Sequence, residues 1–179
     1  MNTLTMIMEV IDEDPKSAVN LIEALAGEFR ILARVSGEKL IPLRQELELC
    51  RAHLQIMSLR RGVECTLEVL EADEDSPVPP ALFHTLVEGG LTHQVPRAGR
   101  LRFVLEAAYL PGEARYTLTV HGDPPPADGP VREGTGTRYV KARLEESFAG
   151  RWTLTAGPVV EGWQTVIHLR RPPGESGAL

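Results

Sequence analysis

Glu88, with Gly89 and Gly90 directly after it and His93 close behind, is the grouping in this chain best placed to do chemistry. The glycines weaken or end a helix there and let a ligand approach the backbone beside a carboxylate. A second grouping is Gly134-Thr135-Gly136, with Arg138 and Lys141 just beyond it. A glycine-bounded loop opening a helix can hold an anion on its backbone N–H groups. The two cations could add charge for phosphate, although solvated surface is their simpler reading. No Ser/His/Asp or Cys/His spacing stands out, and no set of side chains has metal-ligand spacing. Asp12, Glu13 and Asp14, and again Glu71, Asp73, Glu74 and Asp75, read as solvated turns. Cys50 and Cys65 read as small core residues of a reducing compartment.

Elements at helical and strand spacing must position these residues. Leu82, Leu86, Val87 and Leu91 recur on one helical face, which predicts a buried helix over about 80–94, with Pro79 and Pro80 at its start. Before it, Leu4, Ile7, Met8 and Ile11 form an apolar stripe that Asp12-Glu13-Asp14-Pro15 interrupts. Asp14 is a plausible N-cap with Pro15 at N1. A helix over 16–35 follows, with Ala18, Leu21, Ile22, Leu25, Phe29 and Leu32 on one face, and Ser36-Gly37 stops it. Pro42 opens another, carrying Leu43, Leu47, Cys50, Leu54 and Met57 and ending near Arg61-Gly62. Stripes this wide must pack on each other or on a second copy of the chain.

From Val63 the period changes to that of strands. Alternation predicts strands over 64–70, 101–107, 114–120, 151–156 and 163–169, with a turn at Pro111-Gly112 and a helix over 138–148. The proline-rich stretch 123–129 cannot be helix or inner strand. The fold class expected is α+β: a helical segment, then a mixed, mostly antiparallel sheet with helices on one face. The divisions expected are a helical dimerisation and linker segment (1–62), an α/β domain (63–171) and a mobile tail (172–179).

A chain of 179 residues buries about 70% of its unfolded surface and needs no disulfide or metal to fold. The net charge of −6, with basic residues scattered, gives no footprint for DNA or RNA. No signal peptide and no apolar run of bilayer length is visible, so a cytoplasmic protein without a direct membrane span is expected.

The stretch Pro79-Pro80, Leu82, Leu86-Val87-Glu88 and His93 resembles the N-box helix of the GHKL (Bergerat) ATPase superfamily, specifically the LytS-like sensor histidine kinases. The family pattern there is Pro-Pro-x-x-Leu-x-x-Leu-Val-Glu-Asn-Ala-x-Lys-His. Further segments are similar in the family's order. They are Asn2-Thr3-Leu4 with Asp14-Pro15-Lys16-Ser17-Ala18; Pro42-Leu43-Arg44-Gln45-Glu46-Leu47 with Leu54-Gln55-Ile56 and Arg60; Gly134-Thr135-Gly136-Thr137 with Val140, Arg143 and Leu144; and Gly162 with Thr165 and Val166. The resemblance implies a helical dimerisation piece followed by a Bergerat-type ATPase sandwich. It also implies ATP and magnesium as the family's cofactors.

At four places this chain departs from the pattern. The family's phosphoacceptor histidine lies upstream of the Asn-x-Leu match and falls outside this chain, whether or not the gene encodes it. Gly89 stands where the family has its magnesium-binding Asn, and Thr92 where it has Lys. Magnesium demands oxygen ligands, and glycine offers none from a side chain. Gly122 falls on the position of the adenine-binding Asp. Asp123 would serve only with a one-residue slip, which turns a strand side chain to the other face. Tyr139 replaces an Asn of the glycine box, while Pro124, Pro125 and Pro126 stiffen a loop that is glycine-hinged in relatives. His53 lies where the family tends to have an aromatic and reads as a structural or surface histidine. Trp152 and Trp163 read as packing.

The function expected is that of a degenerate, pseudokinase-like signalling module. It would act as a homodimer through its first helices and contact a signalling protein, with nucleotide binding weakened or lost, and no cofactor is expected. The alternative is the ATP-binding catalytic region of a two-component sensor histidine kinase. There Glu88 would be catalytic, and Gly89, His93, Gly122, Asp123, Gly134 and Gly136 would face nucleotide.

Overall fold

The computed structural model describes residues 14–123 and 134–170, together with Thr5, Ile7, Met8 and Ile11 from the segment before them. The Asn2-Thr3-Leu4 match, Asp12, Glu13, the prolines at 124–126 and the expected tail lie outside the described residues. Helix α1 (Pro15–Val35) begins as expected, with the Asp14 side chain accepting from the Ser17 N–H and Pro15 in the first turn. A short strand β1 (Ile41–Pro42) leads into α2 (Leu43–Arg61). Strand β2 (Glu64–Leu70) follows, then β3 (Pro77–Val78), which pairs antiparallel with β1. Helix α3 (Leu82–His93), β4 (Arg100–Leu110), β5 (Glu113–His121), α4 (Thr135–Phe148), β6 (Trp152–Val159) and β7 (Gly162–Arg170) complete the order.

The main sheet has five strands in the order β2-β4-β5-β7-β6. Only β2 and β4 run parallel, because α3 crosses over between them; the other neighbours are antiparallel. Leu101, Phe103, Leu105 and Ala107 of β4 alternate inward, as do Ala114, Tyr116, Leu118 and Val120 of β5 and Ile167 and Leu169 of β7. One buried cluster joins them to Leu43, Leu47, Cys50, Leu54 and Met57 of α2, Leu82, Phe83, Val87 and Leu91 of α3, and Val140, Leu144 and Phe148 of α4. The opposite sheet face carries Arg102, Glu106 and Thr119. This is the expected α+β layer arrangement, with the helices on one face.

Two elements differ from the sequence reading. In α1 only Ala18, Leu21, Glu28 and Val35 are buried, while Ile22 and Phe29 point outward, Phe29 at 61% exposure. The stripe read as one face is two, and a buried glutamate sits in the inner one. At α3 the prolines precede the helix rather than starting it. Ala81 is the N-cap, in the left-handed region at φ 59°, with no side-chain cap of its own.

Candidate functional site

The missing cap of α3 is supplied by its neighbour. Glu46 of α2 is fully buried, and its carboxylate accepts from the Ala81 N–H (2.8 Å) and the His84 N–H (2.9 Å). An anion at a helix N-terminus satisfies orphan donors and complements the dipole. Burial nevertheless pushes the Glu46 carboxyl up to about 7, against the downward pull of those N–H groups and of the His84 ring. At the other end, Arg61 of α2 donates to the Leu91 carbonyl (2.6 Å) in the last turn of α3. Helix α3 is thus clamped at both ends by α2, and the sequence-predicted site residues are arranged along and around it.

Glu88 is exposed on α3. Gly89 lies beside it, one turn after Thr85, and a Cβ built there would meet nothing within 4 Å. Gly136 belongs to the first turn of α4 rather than to the loop before it, because Gly134 is the N-cap. A Cβ on Gly136 would come within 3.3 Å of the Thr85 methyl, so the start of α4 is seated on the first half of α3. Gly134 has open space around it, and its helix end carries no side-chain cap. His93 is exposed in the last turn of α3.

Just past α3 the chain meets the end of β5. Val95 and Asp123 exchange backbone hydrogen bonds of 2.8 and 2.9 Å. The Asp123 carboxylate accepts from Arg97, with Nε at 3.1 Å and Nη2 at 2.9 Å. That pairing turns it to the sheet rim. Gly122 is buried, and a Cβ there would lie 2.8 Å from Leu101 Cδ1 and 2.9 Å from the Val95 carbonyl oxygen. Gly90, where the family pattern has Ala, is equally confined: its Cβ would lie 2.7 Å from Phe103 Cε1 and 2.9 Å from Val120 Cγ2. Gln94, 6% exposed, packs against Gly122, and its Oε1 has no partner among the described residues. The structure therefore places Gly136 against Thr85 in the first half of α3 and Glu88, Gly89 and His93 along its second half, with Gly122 and Asp123 just beyond its end. Apolar side chains and Gln94 fill the floor between. Gly89 offers no side-chain oxygen, and a side chain at Gly122 would require Leu101 and the Val95 carbonyl to shift.

Neither cysteine is poised as a nucleophile: burial raises the Cys50 thiol well above its ordinary range and also raises that of Cys65. Sequence reading missed two features, Glu46 and a cluster of Glu28, His53 and His84. Glu28 is 7% exposed and sits between the two imidazoles, 2.8 Å from His53 Nδ1 and 3.0 Å from His84 Nε2. Desolvation pushes the Glu28 carboxyl up, but the hydrogen bonds and charge of both histidines outweigh it and bring the group to about 2. The one available signal was a glutamate on the inner face of an otherwise apolar stripe. Lys and Glu are almost never buried unless paired.

Residues 1–65 match the model of the histidine kinase family. Over 94 residues the chain is 29% identical to the sensor protein LytS of Oceanobacillus iheyensis, an alignment covering 51% of this chain and 16% of that protein. Among solved structures, the histidine kinase domain of the Erythrobacter litoralis EL346 blue-light activated kinase superposes with a TM-score of 0.55 at 17% identity, covering 93% of this chain and 82% of that one. A chain described as a bacterial phosphotransferase gives a TM-score of 0.61 at 13% identity, covering 93% and 84%. At such identities the superpositions establish the fold alone. No helix among the described residues is long and apolar enough to cross a membrane. The first part of the chain is thus similar in sequence to histidine kinases, and the described residues share the fold of the kinase domain and the phosphotransferase named above.

Proposed function

We propose that this module no longer works as an ATP-dependent kinase and acts instead as a dimeric interaction platform in signalling. The observation that carries this reading is the confinement of Gly122. The position that should present a carboxylate to adenine has Leu101 and the Val95 carbonyl where a Cβ would stand. Phosphoryl transfer rests on positioning and on metal-assisted neutralisation of charge. With Gly89 offering no metal ligand and Asp123 engaged by Arg97, neither is supplied in the family's manner. The proposed working surface is the outer stripe of α1, where Val19, Ile22 and Phe29 are exposed at i, i+3 and i+10 spacing. Two such stripes facing one another would give the paired helices of a homodimer. A protein partner in the signalling chain would dock on that dimer.

Calorimetric titration of the full chain with ATP and magnesium tests the reading. No saturable heat at micromolar to submillimolar nucleotide is expected. Micromolar, magnesium-dependent binding would reject it and favour the alternative, an ATP-binding catalytic region with Glu88 as its catalytic carboxylate.

A further inference from the structure

We infer that Glu28, His53 and His84 form a binding site for a divalent transition-metal ion of the zinc class, set where α1, α2 and α3 meet. Each helix contributes one ligand: Glu28 from α1, His53 from α2 and His84 from α3. One carboxylate oxygen, Glu28 Oε1, is the shared neighbour of His53 Nδ1 (2.8 Å) and His84 Nε2 (3.0 Å). All the ligand atoms lie within 4.8 Å of one another. Two ligands of a tetrahedral zinc, at bond lengths near 2.1 Å, stand ~3.4 Å apart. The two edges from Glu28 Oε1 are about half an ångström short of that, and the imidazole nitrogens lie within 4.8 Å of each other, so small side-chain rotations would seat an ion between them. The rings meet edge to face, with centroids 4.7 Å apart, so their nitrogens converge on the carboxylate instead of stacking past it.

Two imidazoles and a carboxylate are ligands of borderline softness. They suit zinc, cobalt or nickel, and not magnesium or calcium, which take all-oxygen sets. The side chains are 15%, 10% and 12% exposed in the order His53, Glu28, His84. That burial protects the ion, and the residual opening leaves a path in and a fourth position for water or a partner's side chain. A buried polar triad of this kind is otherwise an expensive way to join three helices, since well-packed apolar side chains hold them at least as firmly. The backbone N–H of His84 is held by Glu46 Oε1 at 2.9 Å, which fixes the turn that presents its ring. An ion bound here would tie α1, the helix with the outer stripe, to α3, the helix that organises the nucleotide-site positions. This inference rests on geometry separate from the nucleotide site, so the ATP titration and the metal titration fail or succeed independently.

The test uses the full chain stripped with chelator and titrated with zinc, with magnesium and calcium as controls. One zinc per chain is expected, with a rise in Tm of roughly 5–10 °C at free zinc a hundredfold above Kd and no response to magnesium or calcium. Cobalt in place of zinc should give visible d–d absorption without thiolate charge transfer. Glu28→Gln, His53→Gln and His84→Gln should each weaken zinc at least about tenfold. The Glu28→Gln amide preserves shape and a hydrogen-bond acceptor, so it separates lost ligation from lost folding. Absence of saturable zinc binding would overturn the proposal. So would zinc affinity unchanged in folded Glu28→Gln, or a cobalt spectrum dominated by thiolate, which would place the ion at Cys50 or Cys65.

Discussion

At the scale of single residues, Gly89 and Gly122 behave differently. Gly89 has open space around it. Gly89→Asn should therefore be tolerated, gaining a few tenths of a kcal/mol from helix propensity and restoring no magnesium-dependent ATP binding by itself. Gly122→Asp should cost about 2–3 kcal/mol in urea unfolding, because Leu101 and the Val95 carbonyl must move and a carboxylate is buried beside them. If Gly122→Asp left stability intact, the confinement argued for that position would fail. Glu46 supplies a pH signature. Its folded-state pKa is raised from 4.5 to about 7, so the protonated form is favoured in the fold. That contribution is fully present below about 4.5 and is lost as pH rises through about 7, with Cys50 on its own helix and His84 opposite as its charged or titratable neighbours. In chelator-treated protein, stability should fall by up to about 3 kcal/mol across that window. Glu46→Gln should flatten the slope, and an unchanged slope would show that another group is responsible. The positions proposed to face nucleotide could be named from sequence because they fall in contiguous motifs. The Glu28, His53 and His84 cluster could not, since the histidines lie 25 and 56 residues from Glu28 and share no motif with it.

Among the elements, α1 shows how a helical period identifies a helix but not its partners. The sequence reading placed Ile22 and Phe29 with Leu21 and Ala18, yet the chain uses one side of the helix for α2 and leaves the other apolar and exposed. Phe29→Asp should leave the fold unchanged by circular dichroism and convert the proposed dimer to a monomer in light scattering at micromolar protein. A wild-type chain that is already monomeric would remove the proposed role of α1. The start of α3 was misplaced for a related reason. Two prolines suit a first helical turn, but here a carboxylate from another helix supplies the cap, and no local pattern encodes that. Gly162, by contrast, was marked by a local motif, and its physical cause is severe: φ is +146° and a Cβ would stand 1.9 Å from the Val120 carbonyl oxygen. Gly162→Ala should cost about 3 kcal/mol or more by chemical denaturation, opening the β5–β7 pairing where His121 faces Gly162.

For the molecule as a whole, layer order and sheet content followed from alternation and helical period, because one solvated sheet face and one buried face leave a clear pattern. Strand lengths were underread: β4 and β5 extend to Leu110 and Glu113, across a turn that Gly112 permits at φ 76°. The parallel placement of β2 beside β4, with α3 crossing between them, has a kinetic consequence. The β4–β5 and β6–β7 hairpins join strands adjacent in sequence and can zip locally. Seating β2, by contrast, requires α3 to be laid across the sheet first, a longer loop closure. The same division should govern opening from the native state. Backbone amides of β4, β5 and β7 should exchange slowest with solvent, and those of β2 and α1 sooner, so that the arm bearing the outer stripe can loosen while the sheet persists.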